Sequence, residues 1–191
     1  MWMTELPPFV LFFVAALLVP LTRGPLRAVI MAAAPLLGGL HLWFAVPDGA
    51  LYTLSLLDAV PEMRLAGDFS HYIVDREFKL PLEPWERGLI QRCIQRCDSF
   101  QGRVASRQQV QLQIDFPQHQ KWLDLFKDFW RAGLTDWRAR NTSGDLVFLC
   151  ELGPPEYAMT GPDGQEMSSR WDEALKIKDI VQGFWAEMES A

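Results

Sequence analysis

Two long stretches without a charged side chain lie near the amino terminus, and they most restrict what this chain can fold into. Residues 6–22 (LPPFVLFFVAALLVPLT) and residues 28–47 (AVIMAAAPLLGGLHLWFAVP) are uncharged, and the short basic turn RGPLR joins them. A helix needs about 20 apolar residues to cross the hydrocarbon core of a bilayer, with a lower limit near 17. The pattern therefore predicts a transmembrane helical hairpin over residues 1–50, with membrane contact through residues 6–47.

Two other interpretations of this region fit less well. A secretory signal would carry Lys or Arg before its apolar run, whereas the first five residues, MWMTE, hold only Glu5 as a charge. Two core helices of a soluble protein would be interrupted by Pro20 and Pro35, and proline is tolerated better in membrane helices. The expected location is thus a membrane, and it becomes the cytoplasm if the two segments are soluble core elements.

The rest of the chain has a different character, because residues 51–191 hold 22 acidic and 16 basic side chains and so carry the whole net charge of −6. A nucleic-acid surface is expected to carry a basic stripe, so no nucleic-acid partner is predicted.

The three cysteines, Cys93, Cys97 and Cys150, match neither a disulfide framework nor a zinc spacing. The first two are four residues apart, which predicts buried thiols on one helix.

From residue 63 onward the pattern alternates between strand and helix. Three predicted strands each precede a predicted helix: strands over 63–70, 98–105 and 145–152, and helices over 83–97, 117–140 and 168–189. This order is typical of βα units with a parallel sheet. The last strand, DLVFLCEL, is a nearly continuous apolar run, which predicts burial on both faces. We expect domains over 1–50 and 63–191, joined by a junction over 51–62.

Apolar residues at helical spacing predict the buried face of each helix. The predicted faces are Trp85, Leu89, Cys93 and Cys97 in the first helix, Trp122, Phe126, Phe129, Trp130, Gly133 and Trp137 in the second, and Trp171, Leu175, Phe184 and Trp185 in the third. Ser169 and Asp172 form a predicted capping pair at the start of the third helix. The long Gly- and Pro-rich stretch GPPEYAMTGPDGQEM before it is typical of a βα loop at a working face.

Polar residues follow each predicted strand, where the ends of parallel strands share one edge of the sheet. The first strand ends in Asp68, followed by Ser70 and His71; the second offers Gln101 and Arg103; the third ends in Glu151. Carboxylate and amide oxygens suit Mg²⁺ or Mn²⁺, which can polarise a carbonyl while a carboxylate moves a proton. Acids at strand ends also serve as helix caps or surface groups, and this alternative stays open.

Residues 1–58, including the turn PDG and the stretch LYTLSLLD, resemble the amino terminus of proton-translocating antiporter subunits related to complex I membrane subunits. Those proteins carry their function on charged residues in later helices, which have no counterpart here. The resemblance implies membrane attachment and assigns no transport site.

The segments GDFSHYIVDREF, FQGRVASRQQVQ and FLCELGPPEYAMTG, with RWDEALKIKD, resemble the carboxyl-terminal part of xylose isomerase-like TIM barrels, the sugar phosphate isomerase/epimerase superfamily, over residues 58–188. The resemblance implies a sugar or sugar phosphate as substrate and metal-dependent isomerisation or epimerisation. It places metal ligands and acid/base groups at Asp68 and Glu151, and substrate contacts at His71 and Arg103. The third metal position falls on Gln101, where the family has a histidine.

Two departures from that family limit the expected activity. The amide of Gln101 is a poorer metal ligand than imidazole, so divalent metal binding is expected to be weak or absent. The family's earlier glutamate and the other barrel strands have no counterpart before residue 58. We therefore expect a composite chain, whether a fusion, a truncated gene or an assembly artefact, with a partial, inactive barrel of three βα units. Its open sheet edge predicts self-association, and the alternative function is that of a membrane-anchored antiporter fragment or a non-catalytic interaction protein.

Overall fold

A computed structural model of the chain describes residues 9–45 and 49–190. Two compact units can be separated, Met1–Tyr52 and Thr53–Ala191. The junction predicted over residues 51–62 is mostly helical, because helix α3 spans Gly49–Ala59 and crosses the division between the units.

The first unit contains two helices, α1 (Phe9–Leu18) and α2 (Gly24–Ala45), which pack against each other. The Arg27 Nε atom donates hydrogen bonds to the Val19 and Thr22 carbonyl oxygens, over 3.1 and 2.9 Å, and so closes the turn between them.

No helix within residues 9–45 and 49–190 is long and apolar enough to cross a membrane. The transmembrane hairpin predicted over residues 6–22 and 28–47 is therefore not supported. Helix α1 has ten residues, which is half of what a bilayer core requires. Residues 6–8 and 46–47 of that prediction lie outside the described residues.

The second unit has the predicted α/β class and consists of three βα units around a parallel sheet. Its strands are β1 (Leu65–Gly67), β2 (Cys97–Gln101) and β3 (Val147–Leu149), and the sheet order is β1-β2-β3. Its helices after α3 are α4 (Phe69–Asp75), α5 (Pro84–Ile94), α6 (Gln120–Arg140) and α7 (Arg170–Glu189). The three strands form an open sheet.

The core lies between one face of the sheet and helices α5, α6 and α7. Phe100 pairs in register with Gly67 on one side and with Phe148 on the other. The Phe148 ring meets the Trp130 ring of α6 edge-on, with 5.6 Å between their centroids. The predicted face of α6 is confirmed, since its members are all buried: Trp122, Phe126, Phe129, Trp130, Gly133 and Trp137.

The predicted faces of the other two helices need correction. Trp85 is half exposed, and Cys97 belongs to β2 because α5 ends at Ile94. In α7, Trp171 and Leu175 are exposed, whereas Ile177 and Val181 are buried. Spacing alone could not distinguish these two stripes of α7, because both repeat at about one turn of the helix.

The amino end of α7 is fixed by polar contacts. The Ser169 side chain accepts a hydrogen bond from the Asp172 backbone N–H, which confirms the predicted cap. The buried Arg170 guanidinium pairs with the buried Glu173 carboxylate and donates to the Leu112 carbonyl over 3.1 Å. These bonds join α7 to the segment that follows β2.

The prediction that β3 is buried on both faces is wrong. Phe148 packs toward the helices, but its neighbours Val147 and Leu149 point the other way and are 63% and 53% exposed. Helices α6 and α7 lie on the Phe148 side, where Trp130 and Val181 lie near its ring. More than half of the Val147 and Leu149 surface remains accessible.

Candidate functional site

Polar side chains come together where the three strands end. Asp68 directly follows β1, Gln101 ends β2, and Arg103 comes two residues later; Glu151 lies two residues after β3. Because the strands are parallel and adjacent, their carboxyl ends lie at one edge of the sheet. The structure thus brings these four residues and His71 into one hydrogen-bonded group, which we call the strand-end cluster.

Asp68 is held at both oxygens of its buried carboxylate. The Oδ1 atom caps helix α4 by accepting from the Ser70 backbone N–H over 3.0 Å and from the Ser70 hydroxyl over 2.5 Å. The Oδ2 atom accepts from Arg103. The sequence left open whether Asp68 caps a helix or belongs to a site. In the structure it caps α4 and also belongs to the strand-end cluster.

Arg103 lies at the centre of the cluster with its side chain almost fully buried. Its Nη1 donates to Glu151 Oε1 over 2.9 Å, its Nη2 donates to Asp68 Oδ2, and its Nε donates to the Ser70 hydroxyl over 3.1 Å. Arg presents several donors in a rigid planar fork, which suits two carboxylates at once. The guanidinium is thus the positive charge that balances this carboxylate pair.

His71 sits at the solvent side of the cluster, with its side chain 68% exposed. Its Nε2 atom lies 3.0 Å from Arg103 Nη2 and 3.3 Å from Asp68 Oδ2. In one tautomer of the neutral ring Nε2 accepts from the Arg103 guanidinium, and in the other it donates to the Asp68 carboxylate. In both tautomers the ring is exposed and can meet a ligand.

Gln101 joins the two carboxylates through its side-chain amide. With the amide nitrogen turned toward them, it donates to Asp68 Oδ2 over 2.9 Å and to Glu151 Oε2 over 2.6 Å. The opposite orientation would place three oxygens against one another, which is favourable only with a cation between them. The orientation of this amide therefore depends on whether a cation is present.

The donor set fits a hard, oxygen-preferring cation in its chemistry, since two carboxylates and one amide oxygen lie close together. The fit is limited because Arg103 already binds both carboxylates. Among the described residues, no three His, Cys, Asp or Glu side chains gather as metal ligands. Asp68, Gln101 and Glu151 would hold such an ion only in competition with the guanidinium.

Two supporting residues were not assigned roles by sequence reasoning. Ser70 bridges Asp68 and Arg103 through one hydroxyl. The Gln111 amide forms two 2.8 Å hydrogen bonds with the Gly153 backbone, one to its carbonyl and one from its N–H, two residues after Glu151. The sequence could have pointed to Ser70, because it lies two residues after Asp68. It could not have pointed to Gln111, because the contact with Gly153 spans 42 residues.

Cys93 and Cys97 take no part in the hydrogen bonds of the strand-end cluster. Burial raises the pKa of the Cys97 thiol to about 12, and the neighbouring Cys93 adds to the rise. Burial also raises the pKa of Cys93, which a hydrogen bond with Tyr72 partly offsets. The prediction of buried thiols is confirmed for both, and their chemistry is that of core side chains.

Comparison with known proteins adds no relative to these observations. No protein-family model, curated protein or solved structure matches the chain.

Proposed function

We propose that the strand-end cluster binds a polyhydroxylated, sugar-like ligand together with a weakly held divalent cation, as in a sugar isomerase or epimerase site. The observation that carries this proposal is the convergence of Asp68, Gln101, Arg103 and Glu151 at adjacent parallel strand ends, with His71 beside them. Sites built from several strand ends at the carboxyl edge of a β/α sheet are typical of barrel enzymes. In this proposal the three βα units are a segment of such a barrel.

Each residue has a separate role in the proposed site. Glu151 is the more exposed carboxylate, with 37% of its side chain accessible, and it is the group that would move a proton on the ligand. Asp68 is buried and fixes the guanidinium and the start of α4. The exposed His71 ring would form a hydrogen bond with a ligand hydroxyl, and Arg103 would keep the carboxylate pair in place.

A divalent cation, when bound by Asp68, Gln101 and Glu151, would polarise a ligand carbonyl or hydroxyl. Gln101 would turn its amide oxygen toward the cation and give up the two hydrogen bonds that its nitrogen can make. Arg103 already donates to the Glu151 and Asp68 carboxylates that the cation would need. We therefore expect the divalent cation to bind at least 10- to 100-fold more weakly than at a site whose three ligands have no competing partner.

Isomerisation by this chain alone is not expected. Moving a proton between two carbons is helped by two separate acid/base groups, and each contributes about 10²–10⁴-fold in rate. Within the cluster only Glu151 is a partly exposed carboxylate, since Asp68 is buried and bound at both oxygens. The proposed activity is therefore ligand binding without turnover.

The proposal is tested by calorimetry with MnCl₂, followed by a panel of ketohexoses, on the natural chain and on two variants. Glu151→Gln removes the accessible carboxylate, while Glu156→Gln makes the same chemical change at an exposed position five residues later. We expect weak Mn²⁺ binding that Glu151→Gln abolishes and Glu156→Gln preserves. Binding that is indifferent to Glu151→Gln would exclude the proposed site, and turnover of a sugar would contradict the inactive assignment.

A second proposal concerns the first unit, where large apolar side chains of α1 and α2 face outward. The exposed set includes Phe13, Leu17, Leu21, Leu26, Val29, Met31 and Leu36. Many exposed large apolar side chains on a small unit favour contact with lipid or another apolar partner. We propose that it contacts lipid, and that the first unit holds the chain at a membrane.

A further inference from the structure

The second unit contains a sheet with two unsatisfied edges. Sheet order places β1 at one edge and β3 at the other, and no described strand pairs with the outer side of either. Unpaired strand edges present backbone donors and acceptors that favour pairing with another chain. A single partner that offered a parallel strand to each edge would satisfy both.

The face of the sheet that points away from the helices is also uncovered. Val147 and Leu149 project from this face, and both are more than half exposed. Parallel sheets occur almost only where both faces are covered. Helices α5, α6 and α7 all lie on the other face, so the natural continuation is more strands that curve around this face.

A groove of about 520 Å³ lies between the outer edge of β3 and helix α7. Its apolar lining comes from Leu146, Phe148, Val181 and Trp185. Asp145 and Glu189 add two carboxylates and Lys178 adds one ammonium group. Lys178 pairs with Asp179, and Glu189 accepts a hydrogen bond from the Trp185 indole over 2.9 Å. Asp145 lies just before the start of β3. A parallel strand that fills this groove is therefore expected to carry a basic residue just before its own start.

Strand β1 of the same chain has these properties. Arg64 stands immediately before β1, just as Asp145 stands shortly before β3. Its present contacts are long, since Arg64 Nε lies 3.6 Å from Asp98 Oδ2 and Nη1 donates to the Gln95 carbonyl over 3.5 Å, and the Arg64 and Asp98 side chains are both nearly half exposed. The Arg64 side chain can therefore turn to the carboxylates of a neighbouring molecule.

We propose that two copies of this chain associate through their second units, with β1 of each copy lying parallel to β3 of the other. A two-fold axis along the strands generates two identical seams, so the contact closes on itself. Six parallel strands then surround Val147 and Leu149, and Arg64 of one copy faces Asp145 and Glu189 of the other. Both strand-end clusters lie at the same end of this assembly.

The first test uses Val147→Lys with Leu149→Lys in the full chain. Both positions are exposed in one copy, so the variant should fold, but in the pair the two lysines would be buried without partners. We expect the natural chain to be a dimer, and the variant to dissociate with a Kd at least about 30-fold higher. Light scattering after size-exclusion chromatography in a mild non-ionic detergent measures this, with the detergent covering α1 and α2. Ala139→Lys, on the exposed side of α6, is the matched control and should remain dimeric.

The second test identifies the seam by exchanging charges. Arg64→Glu alone and Asp145→Arg alone should each weaken the homodimer by about 10-fold, since like charges then meet at both seams. Mixing these two variants should restore dimers, because one seam then has the exchanged pair and the other has the natural pair.

Three outcomes would overturn the proposal. A natural chain that stays monomeric at all concentrations has no such contact. A dimer that tolerates both lysines uses another surface, such as α1 and α2. Mixed charge variants that fail to form heterodimers, or a natural chain that forms open polymers, would exclude the closed pair of β1–β3 seams.

Discussion

A single guanidinium, that of Arg103, balances the two carboxylates of the strand-end cluster. Arg103 is the only basic group bound directly to both the Asp68 and the Glu151 carboxylates in the described residues, and it is almost completely buried. Removing one partner of a buried ion pair is far more costly than removing a surface pair, because the remaining charge stays buried and uncompensated. The cluster is thus a structural element as well as a candidate site.

We predict that Arg103→Gln lowers the free energy of unfolding by about 3–5 kcal/mol, since two carboxylates then face each other without a cation. Mn²⁺ should restore part of this loss, because the freed carboxylates can now bind the ion. Urea unfolding followed by tryptophan fluorescence, with and without MnCl₂, measures both effects, and six of the eight tryptophans lie in residues 53–191.

Arg107→Gln is the control for this prediction. Arg107 pairs with Glu77 over 3.1 Å, and their side chains are 38% and 56% exposed, far more than that of Arg103. Exposed pairs contribute about 0–1 kcal/mol, so the control should change stability little and should not respond to Mn²⁺. Equal losses from the two substitutions would show that Arg103 does not hold the cluster together.

We predict that the cysteines differ sharply in reactivity. With a pKa of about 12 caused mainly by burial, Cys97 has a thiolate fraction of about 10⁻⁴ at pH 8, and it is also shielded from solvent. Cys150 is partly exposed, and Lys178 opposes the effect of burial on its pKa. Iodoacetamide should therefore label Cys150 first, and labelling of Cys97 should rise with pH up to about 12.

Mass spectrometry of peptides after timed labelling at pH 8 measures the order of reaction. Unfolding in urea should make all three rates similar, which separates the effect of the fold from that of sequence. Rapid labelling of Cys97 in the native chain would contradict its burial against α5.

At the scale of helices and strands, close packing between α6 and β2 depends on a glycine. A Cβ atom at Gly133 would lie 2.5 Å from the Phe100 ring, and that ring fills the centre of the core. Gly88 lies inside α5 with nothing within 4 Å of the equivalent position. The two glycines therefore provide a matched pair for the same substitution.

We predict opposite effects for Gly133→Ala and Gly88→Ala. Gly88→Ala should stabilise the protein by about 0.5–1 kcal/mol through helix propensity alone. Gly133→Ala receives the same propensity gain but overpacks the core, and a net loss of about 1–2 kcal/mol is expected. Thermal unfolding of both variants measures the difference, and a stabilising Gly133→Ala would show that α6 and β2 can move apart freely.

The elements that sequence predicts well are those with long periodic patterns. The aromatic stripe of α6 runs from Trp122 to Trp137, about four turns, and could be assigned because one face is continuously apolar. Helix α4 was missed, since its seven residues are too short for a periodic signal and begin directly after Asp68, its cap. Burial of Val147 and Leu149 was predicted wrongly, because an apolar run shows that a strand is suited to burial and not what covers it.

The arrangement of the cluster shows the same limit. The rule for parallel strand ends placed Asp68, Gln101, Arg103 and Glu151 at one edge, and the structure brings them there. It could not predict that Arg103 lies between the carboxylates, because sequence contains no side-chain directions. The calorimetric titration with MnCl₂ measures whether a cation can displace Arg103 from these carboxylates.

At the scale of the whole molecule, the two units differ in how they meet solvent. Residues 53–191 present a mixed, acidic surface, while α1 and α2 expose apolar side chains over much of the described first unit. Burying such a side chain is worth about 1.5–3 kcal/mol. Several of them together supply more free energy than a typical reversible membrane contact requires.

We predict that the full chain sediments with membranes, because the apolar side chains of α1 and α2 transfer into lipid. Leu17→Lys together with Val29→Lys places charges on this surface, where both residues are more than half exposed, and should move a large fraction of the chain into the supernatant. Ala139→Lys, which adds the same charge to the surface of α6, should stay with the membranes. A natural chain that remains in the supernatant without detergent would refute the lipid contact, and the exposed apolar side chains would then have to meet a protein surface. Immunoblotting of the two fractions distinguishes these outcomes.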